Sequence, residues 1–136
     1  TEVNIETEDT AVVLLKFNNG ALGVIEATTA IRPNDLEGSV SILGEGGSVV
    51  VEGFAVNKIK TWEFKVKKPI DKIVAKKYST NPLNVYGFGH EEFYNSVINS
   101  IQTNNNSSIT GDQGIRTVKI INAIYKSIKN KKEIII

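Results

Sequence analysis

An α+β fold, an antiparallel open-faced β-sheet with helices packed on one face, is predicted by three features of the sequence. Apolar residues alternate at period two through the first half of the chain and recur at helical spacing in the second half. Glycine- and asparagine-rich turns join the strands, which makes sequence neighbours antiparallel. Strands also come first and helices afterwards, an order that segregates the two rather than interleaving them.

Taken in order, residues 10–31, TAVVLLKFNNGALGVIEATTAI, read as two long strands joined at Asn18-Asn19-Gly20. Asparagine and glycine both tolerate the positive φ of a tight hairpin turn. Val13, Leu15 and Phe17 alternate onto one face and Val12 and Leu14 onto the other, so both faces are expected to be at least partly covered. A polar loop with Pro33 follows. SVSILGEGGSVVVEG then reads as a second hairpin, with strands over 39–43 and 48–51 and a turn at Gly44, Gly46 and Gly47. Trp62, Phe64 and Val66 alternate with charged residues in a further strand, so about five strands are expected as a meander. The Lys-rich stretch from 68 to 84, broken by Pro69 and Pro82, reads as an irregular connection.

Two helices are expected after it. The first runs over 89–102, with Phe93, Val97 and Ile101 on one face. The second runs over 113–129, with a stripe of Ile115, Val118, Ile121, Tyr125 and Ile128. Thr110-Gly-Asp-Gln113 has the form of a capping box and supports that start. A final short strand is expected in EIII, 133–136.

Composition narrows the function classes. The chain has 136 residues, the size of one domain, with 40% hydrophobic and 23% charged residues. Sixteen basic against fifteen acidic residues leave a net charge of +1, which supplies no general attraction to nucleic acid or to an anionic membrane. No cysteine and a single histidine exclude thiol chemistry and argue against a nitrogen/sulfur zinc site. No run reaches the roughly 18–20 apolar residues that span a bilayer. No signal-peptide pattern opens the chain, so the Asn105 and Asn106 sequons lack secretory context and a cytoplasmic location is expected. The chain begins TEVNIETEDT and contains no methionine, so it reads as part of something longer or as an N-terminally processed product.

No self-contained catalytic constellation assembles. His90 has no nucleophile motif to serve. GEGGS, 44–48, lacks the lysine of a P-loop and the G-x-G-x-x-G spacing before a helix, and a strand-to-strand turn explains it. GFGHEE, 87–92, precedes a helix whose free N–H groups can take an anion, or is simply a glycine-rich approach to that helix. Glu91 and Glu92 suit helix-end electrostatics better than acid/base work. Glu8 and Asp9, adjacent in sequence, point in different directions in regular structure. Arg32 and Arg116 are the only arginines: Arg32, in a loop, is a candidate for carboxylate or phosphate recognition, whereas Arg116 reads as a solvated helix residue. Trp62 reads as a half-buried strand side chain. Tyr86 and Phe88 flank glycines and either line a pocket mouth or staple the chain onto the helix.

EDTAVVLLKFNNGALGVIEATTAIRPNDLEGSVSILGEGGSVVVEG, GHEEFYNSVINSI, ITGDQGIRTVKIINAIYKSI and NKKEIII, in this order and spacing, resemble the C-terminal domain of Gfo/Idh/MocA-type oxidoreductases. The closest likeness is to the branch of UDP-N-acetylglucosaminuronic acid 3-dehydrogenases. The resemblance covers Glu8 to Ile136, and the hairpin over 17–23 and the block ATTAIRPNDLEGSVSILGE are its more specific parts. It implies that residues 1–136 are a single domain, most of the substrate and oligomerisation domain of a two-domain dehydrogenase. NAD or NADP would be bound by an absent N-terminal Rossmann domain that also carries a Glu-Lys-Pro catalytic segment, and the family's catalytic aspartate and histidine, on the helix that begins the C-terminal domain, would lie upstream of Thr1. The substrate implied is a nucleotide sugar, with Arg32, Tyr86 and His90 as contacts and no catalytic, cofactor or metal residue here. The open sheet face is expected to form a homo-oligomer, with no nucleic-acid or membrane partner. The rival expectation is a non-catalytic module that binds a ligand or protein through that face.

Overall fold

The Asn-Gly hairpin forms as expected. In the computed structural model, which describes residues 3–34, 36, 38–80, 82, 86–105 and 109–136, β1 (Thr10–Lys16) pairs antiparallel with β2 (Leu22–Thr28), from Thr10 opposite Thr28 to Lys16 opposite Leu22. Phe17 N–H donates to the Ala21 carbonyl and Gly20 N–H to the Phe17 carbonyl, both at 2.9 Å, and Gly20 takes φ +87°. A side chain is strained at that φ, so glycine suits the position. The Asn106 sequon and the Asn84–Val85 approach to the first expected helix lie outside the described residues.

The chain divides into two units, Thr1–Ala30 with Asn95–Ile136, and Ile31–Tyr94. In the first, alternation along β1 leaves Ala11, Val13 and Leu15 half-buried. The other face is open, against the expectation that both would be covered: Leu14 is 81% exposed, Leu22 80%, Val12 66% and Val24 64%. Leu14 and Val24 are cross-strand partners on it.

Ahead of β1, Asp9 is buried and its Oδ2 accepts the Val3 N–H at 2.8 Å. Its neighbour Glu8 points elsewhere and accepts the Tyr125 hydroxyl at 2.6 Å. That bond lowers the pKa of Glu8 and raises that of Tyr125.

Two long helices follow: α2 (Gly89–Thr103), whose first six residues fall in the second unit, and α3 (Gly111–Asn130). At the start of α3, Thr110 N–H donates to Gln113 Oε1 at 3.1 Å, the glutamine arm of the expected capping box. The covered face of α3 is not the expected one. Ile120, Ala123, Ile124 and Ser127 are half-buried, whereas Ile115, Val118, Ile121, Tyr125 and Ile128 are exposed. Both sets have helical spacing, and the period alone does not choose between adjacent faces. On α2 likewise Ser96, Val97 and Ser100 are half-buried while Ile101 is exposed. After Lys131, which closes α3 in the left-handed region at φ +51°, residues 133–136 form no strand. A β-branched run has strand character only beside a neighbour to pair with.

The second unit holds β3 (Val40–Gly44), β4 (Gly47–Glu52) and β5 (Lys58–Phe64), in spatial order β3-β4-β5 and antiparallel throughout. The five strands thus form sheets of two and three. The 31–38 connection is too long and too proline-broken for the tight turn that lays one strand beside the last. Gly47 opens β4 where a β-carbon would overlap the Glu63 carbonyl oxygen, so glycine lets β5 approach.

The expected irregular stretch contains a helix, α1 (Asp71–Lys77). Pro69 stands just ahead of it, where a missing N–H costs little. Asp71 lies in its first turn and Lys76 and Lys77 in its last, each favoured by the helix dipole. Asp71 joins helix to sheet: Oδ2 accepts the Lys68 N–H at 2.6 Å and Oδ1 accepts Trp62 Nε1–H at 2.9 Å. Trp62 packs edge-on to Phe64 with centroids 5.2 Å apart, as expected of a half-buried strand residue. Val74 on α1, 6% exposed, is the buried apolar side chain among the described residues, and its burial contributes about 2 kcal/mol.

Candidate functional site

Three separate segments converge on the turn between β4 and β5. Gly53 takes φ +104° and Val56 φ +51°, and Asn57 Oδ1 accepts the Ala55 N–H at 3.1 Å, so the Asn57 side chain completes the turn. The 31–39 connection, which carries Arg32, reaches this turn through Gly38, whose N–H donates to the Gly53 carbonyl at 3.1 Å. A β-carbon on Gly38 would come 2.8 Å from Val56 Cγ2, so only a bare backbone lies that close. The segment after α1 is tied to it by Thr80 N–H to the Asn57 carbonyl, 3.0 Å, by Asn57 Nδ2–H to the Thr80 carbonyl, and by Ile59 N–H to Ser79 Oγ, 3.1 Å. The approach to α2 touches it as well: a β-carbon on Gly87 would sit 3.6 Å from Ala55 Cβ.

Gly87 has φ +62°, and this left-handed residue turns the chain between Tyr86 and Phe88 into the helix. Tyr86 and His90 meet in an edge-to-face contact, ring centroids 5.7 Å apart at 82°. Both are exposed, as are Phe88 and Arg32. Arg32 Nη1 donates to the Ile31 carbonyl at 2.8 Å, which anchors one edge of the guanidinium. The structure therefore brings two of the three expected contacts, Tyr86 and His90, into one pair. It ties the connection bearing the third to the same turn.

This arrangement offers hydrogen-bond donors and flat ring faces, the chemistry for holding a sugar hydroxyl, a carboxylate or a phosphate. Glu91 and Glu92 stand in the first turn of α2 and already satisfy its partial positive charge, which weakens the anion-binding reading of GFGHEE. No metal-holding group of three His, Cys, Asp or Glu exists among the described residues. The glycine cluster at 44–47 does not fit a dinucleotide: it joins strand to strand, and Glu63 and Phe64 fill the space beside Gly47. An open depression of about 500 Å³ lies elsewhere, lined by Glu45, Gly46, Phe64, Lys65, Val66 and Lys68, none of them a candidate contact.

Sequence reasoning passed over Asn57, which holds the turn and clasps Thr80. The signal was present: a glycine and an asparagine four residues apart between two β-rich runs mark a turn in which the amide can bond the backbone.

Residues 1–136 match a family model described as the oxidoreductase family, C-terminal alpha/beta domain. Among solved structures, the chain is similar to the WlbA dehydrogenase from Bordetella pertussis in complex with NADH and UDP-GlcNAcA. Identity is 38% and the TM-score 0.86, over 95% of this chain and 37% of that one. It is also similar to the WlbA enzyme from Chromobacterium violaceum in complex with the same two molecules, at 38% identity and TM-score 0.82, over 95% of this chain and 35% of that one. The chain thus spans little more than a third of these neighbours. No curated protein matches it by sequence.

Proposed function

The chain belongs to the C-terminal alpha/beta domain of the Gfo/Idh/MocA oxidoreductase family, and from that premise we propose that it is the substrate and assembly domain of a nucleotide-sugar dehydrogenase. The parent enzyme oxidises a hydroxyl of a UDP-N-acetylhexosaminuronate-type sugar, and the hydride passes to NAD or NADP bound by sequence outside these residues. The observation that carries this reading is the 38% identity over 95% of the chain to enzymes solved with NADH and UDP-GlcNAcA.

Arg32, Tyr86 and His90 are the proposed substrate contacts. A guanidinium pairs in a fork with carboxylate or phosphate oxygens, which a uronate and a diphosphate both supply. Tyr86 and His90 add a ring face and hydrogen-bonding edges. Steady-state kinetics of the full-length protein with UDP-GlcNAcA and NAD test the assignment. Arg32→Ala and His90→Ala are expected to raise KM for the sugar and to leave the affinity for NADH unchanged. Unchanged KM in both variants removes these residues from the site. Lack of any UDP-GlcNAcA-dependent reduction of NAD rejects the substrate class itself.

The bare face of the β1–β2 ribbon is the proposed subunit interface. Four exposed aliphatic side chains on one hairpin face form a patch of the kind that marks an association surface. Leu14→Glu is expected to dissociate the oligomer in sedimentation experiments on the full-length protein. A wild-type protein that is monomeric at high concentration would leave only the reading of a ligand- or partner-binding face.

A further inference from the structure

The hairpin turn holds a second kind of chemistry. Asn19 is exposed at the tip of the β1–β2 ribbon and is followed by Gly20, whose absent β-carbon would have met no atom within 4 Å. Asn19 Oδ1 accepts the Ala21 N–H at 3.1 Å. The ring closed by that bond includes the Gly20 nitrogen, so the amide carbon of Asn19 is folded alongside the nitrogen that can attack it. The same hydrogen bond draws electron density from the side-chain carbonyl and makes that carbon more electrophilic. One contact opposes the reaction: Gly20 N–H donates to the Phe17 carbonyl at 2.9 Å. It is a single bond at an exposed tip, where local opening is cheap.

We infer that Asn19 is a site of spontaneous covalent modification, an amide that cyclises onto the Gly20 backbone and is lost as ammonia. The step balances without an oxidant or reductant. Gly20 N gives up its proton to solvent base and bonds to Asn19 Cγ, and the side-chain nitrogen leaves with a proton from water. Water then opens the five-membered imide at either carbonyl. Breaking the new bond leaves aspartate, and breaking the original peptide bond leaves isoaspartate.

No other described asparagine is followed by glycine. Asn57 has both ends of its amide engaged, Oδ1 by Ala55 N–H and Nδ2 by the Thr80 carbonyl. Asn95, Asn99 and Asn122 lie inside α2 and α3, where the following N–H belongs to the helix ladder. Either product puts a negative charge at the turn, and isoaspartate also lengthens the backbone of the loop that sets the Lys16–Leu22 pairing.

The test is timed incubation of the folded chain in mildly alkaline buffer, followed by peptide mass spectrometry and isoaspartate detection. The peptide containing Asn19 is expected to gain the mass of an amide-to-acid exchange at least an order of magnitude faster than the peptide containing Asn57. Asn19→Gln, which would need a larger ring, is expected to abolish the product. Gly20→Ala is expected to slow it, because the added methyl crowds the attacking nitrogen. Equal rates at Asn19 and Asn57, or conversion of Asn19 only after denaturant is added, overturns the inference. Persistence of the mass gain in Asn19→Gln overturns it too, because it places the reaction at another residue.

Discussion

The two sheets are built from similar strands and treated differently. Seven-residue β1 and β2 carry alternating aliphatic residues, and one of their faces is open at Val12, Leu14, Leu22 and Val24. In the three-stranded sheet every residue of β4 is at least half-buried, because it has a neighbour on each side and α1 packs on β5. A two-stranded ribbon is marginal in water unless something covers it. The contrast teaches that the second sheet is covered by its own unit while the first leaves one apolar face open.

The sharpest way to break that contrast is to empty the anchor of the second sheet. Val74→Ala is expected to cost about 2 kcal/mol in urea unfolding, because it opens a void at the buried side chain of α1. Gly47→Ala is expected to cost about 1–2 kcal/mol and to separate β4 from β5, since its methyl group meets the Glu63 carbonyl. In contrast, Leu14→Ala is expected to change the stability of the isolated chain by less than about 0.5 kcal/mol, as truncation of an exposed side chain does. A large Leu14 penalty would show that the ribbon face is already covered. Amide hydrogen exchange reads the same difference directly, with slower exchange expected in β4 than in β1 and β2.

A smaller effect separates the two units by pH. Glu8 in the first is held below its usual 4.5, first by the Tyr125 hydroxyl and then by a backbone bond. Asp71 in the second is held below its usual 3.8, first by the Lys68 N–H and then by Trp62. A carboxyl whose folded pKa is depressed stabilises the fold above its unfolded value, and that contribution is lost as pH falls through the folded one. Acid titration is therefore expected to weaken the Glu8 tether as pH falls below the usual 4.5 and the Asp71 tether as it falls below the usual 3.8. Glu8→Gln should lessen the acid sensitivity of the first unit alone and Asp71→Asn that of the second, read by exchange at β1 and at β5.

Much of this was legible in the residues. The Asn-Gly hairpin, the GEGGS turn, the Thr110–Gln113 cap and both long helices follow from local rules that act within a few residues. Helix α1 was hidden by its lysines and prolines, although Pro69 stands where a helix tolerates it. In the candidate site, Tyr86, Phe88 and His90 stood out by their glycine setting. The turn that Asn57 completes was legible in the Gly53–Asn57 spacing, but its clasp on Thr80, far along the chain, was not.

Local chemistry alone determined the class of the fold and the positions of its turns and caps, since each depends on residue type and short-range spacing. Only tertiary structure decided that five strands divide into two sheets, that α3 turns Ile120 and Ile124 inward instead of Ile121 and Tyr125, and that the last four residues stay unpaired. Those outcomes depend on which distant surface is available to bury against, and hydrophobic burial has no direction of its own.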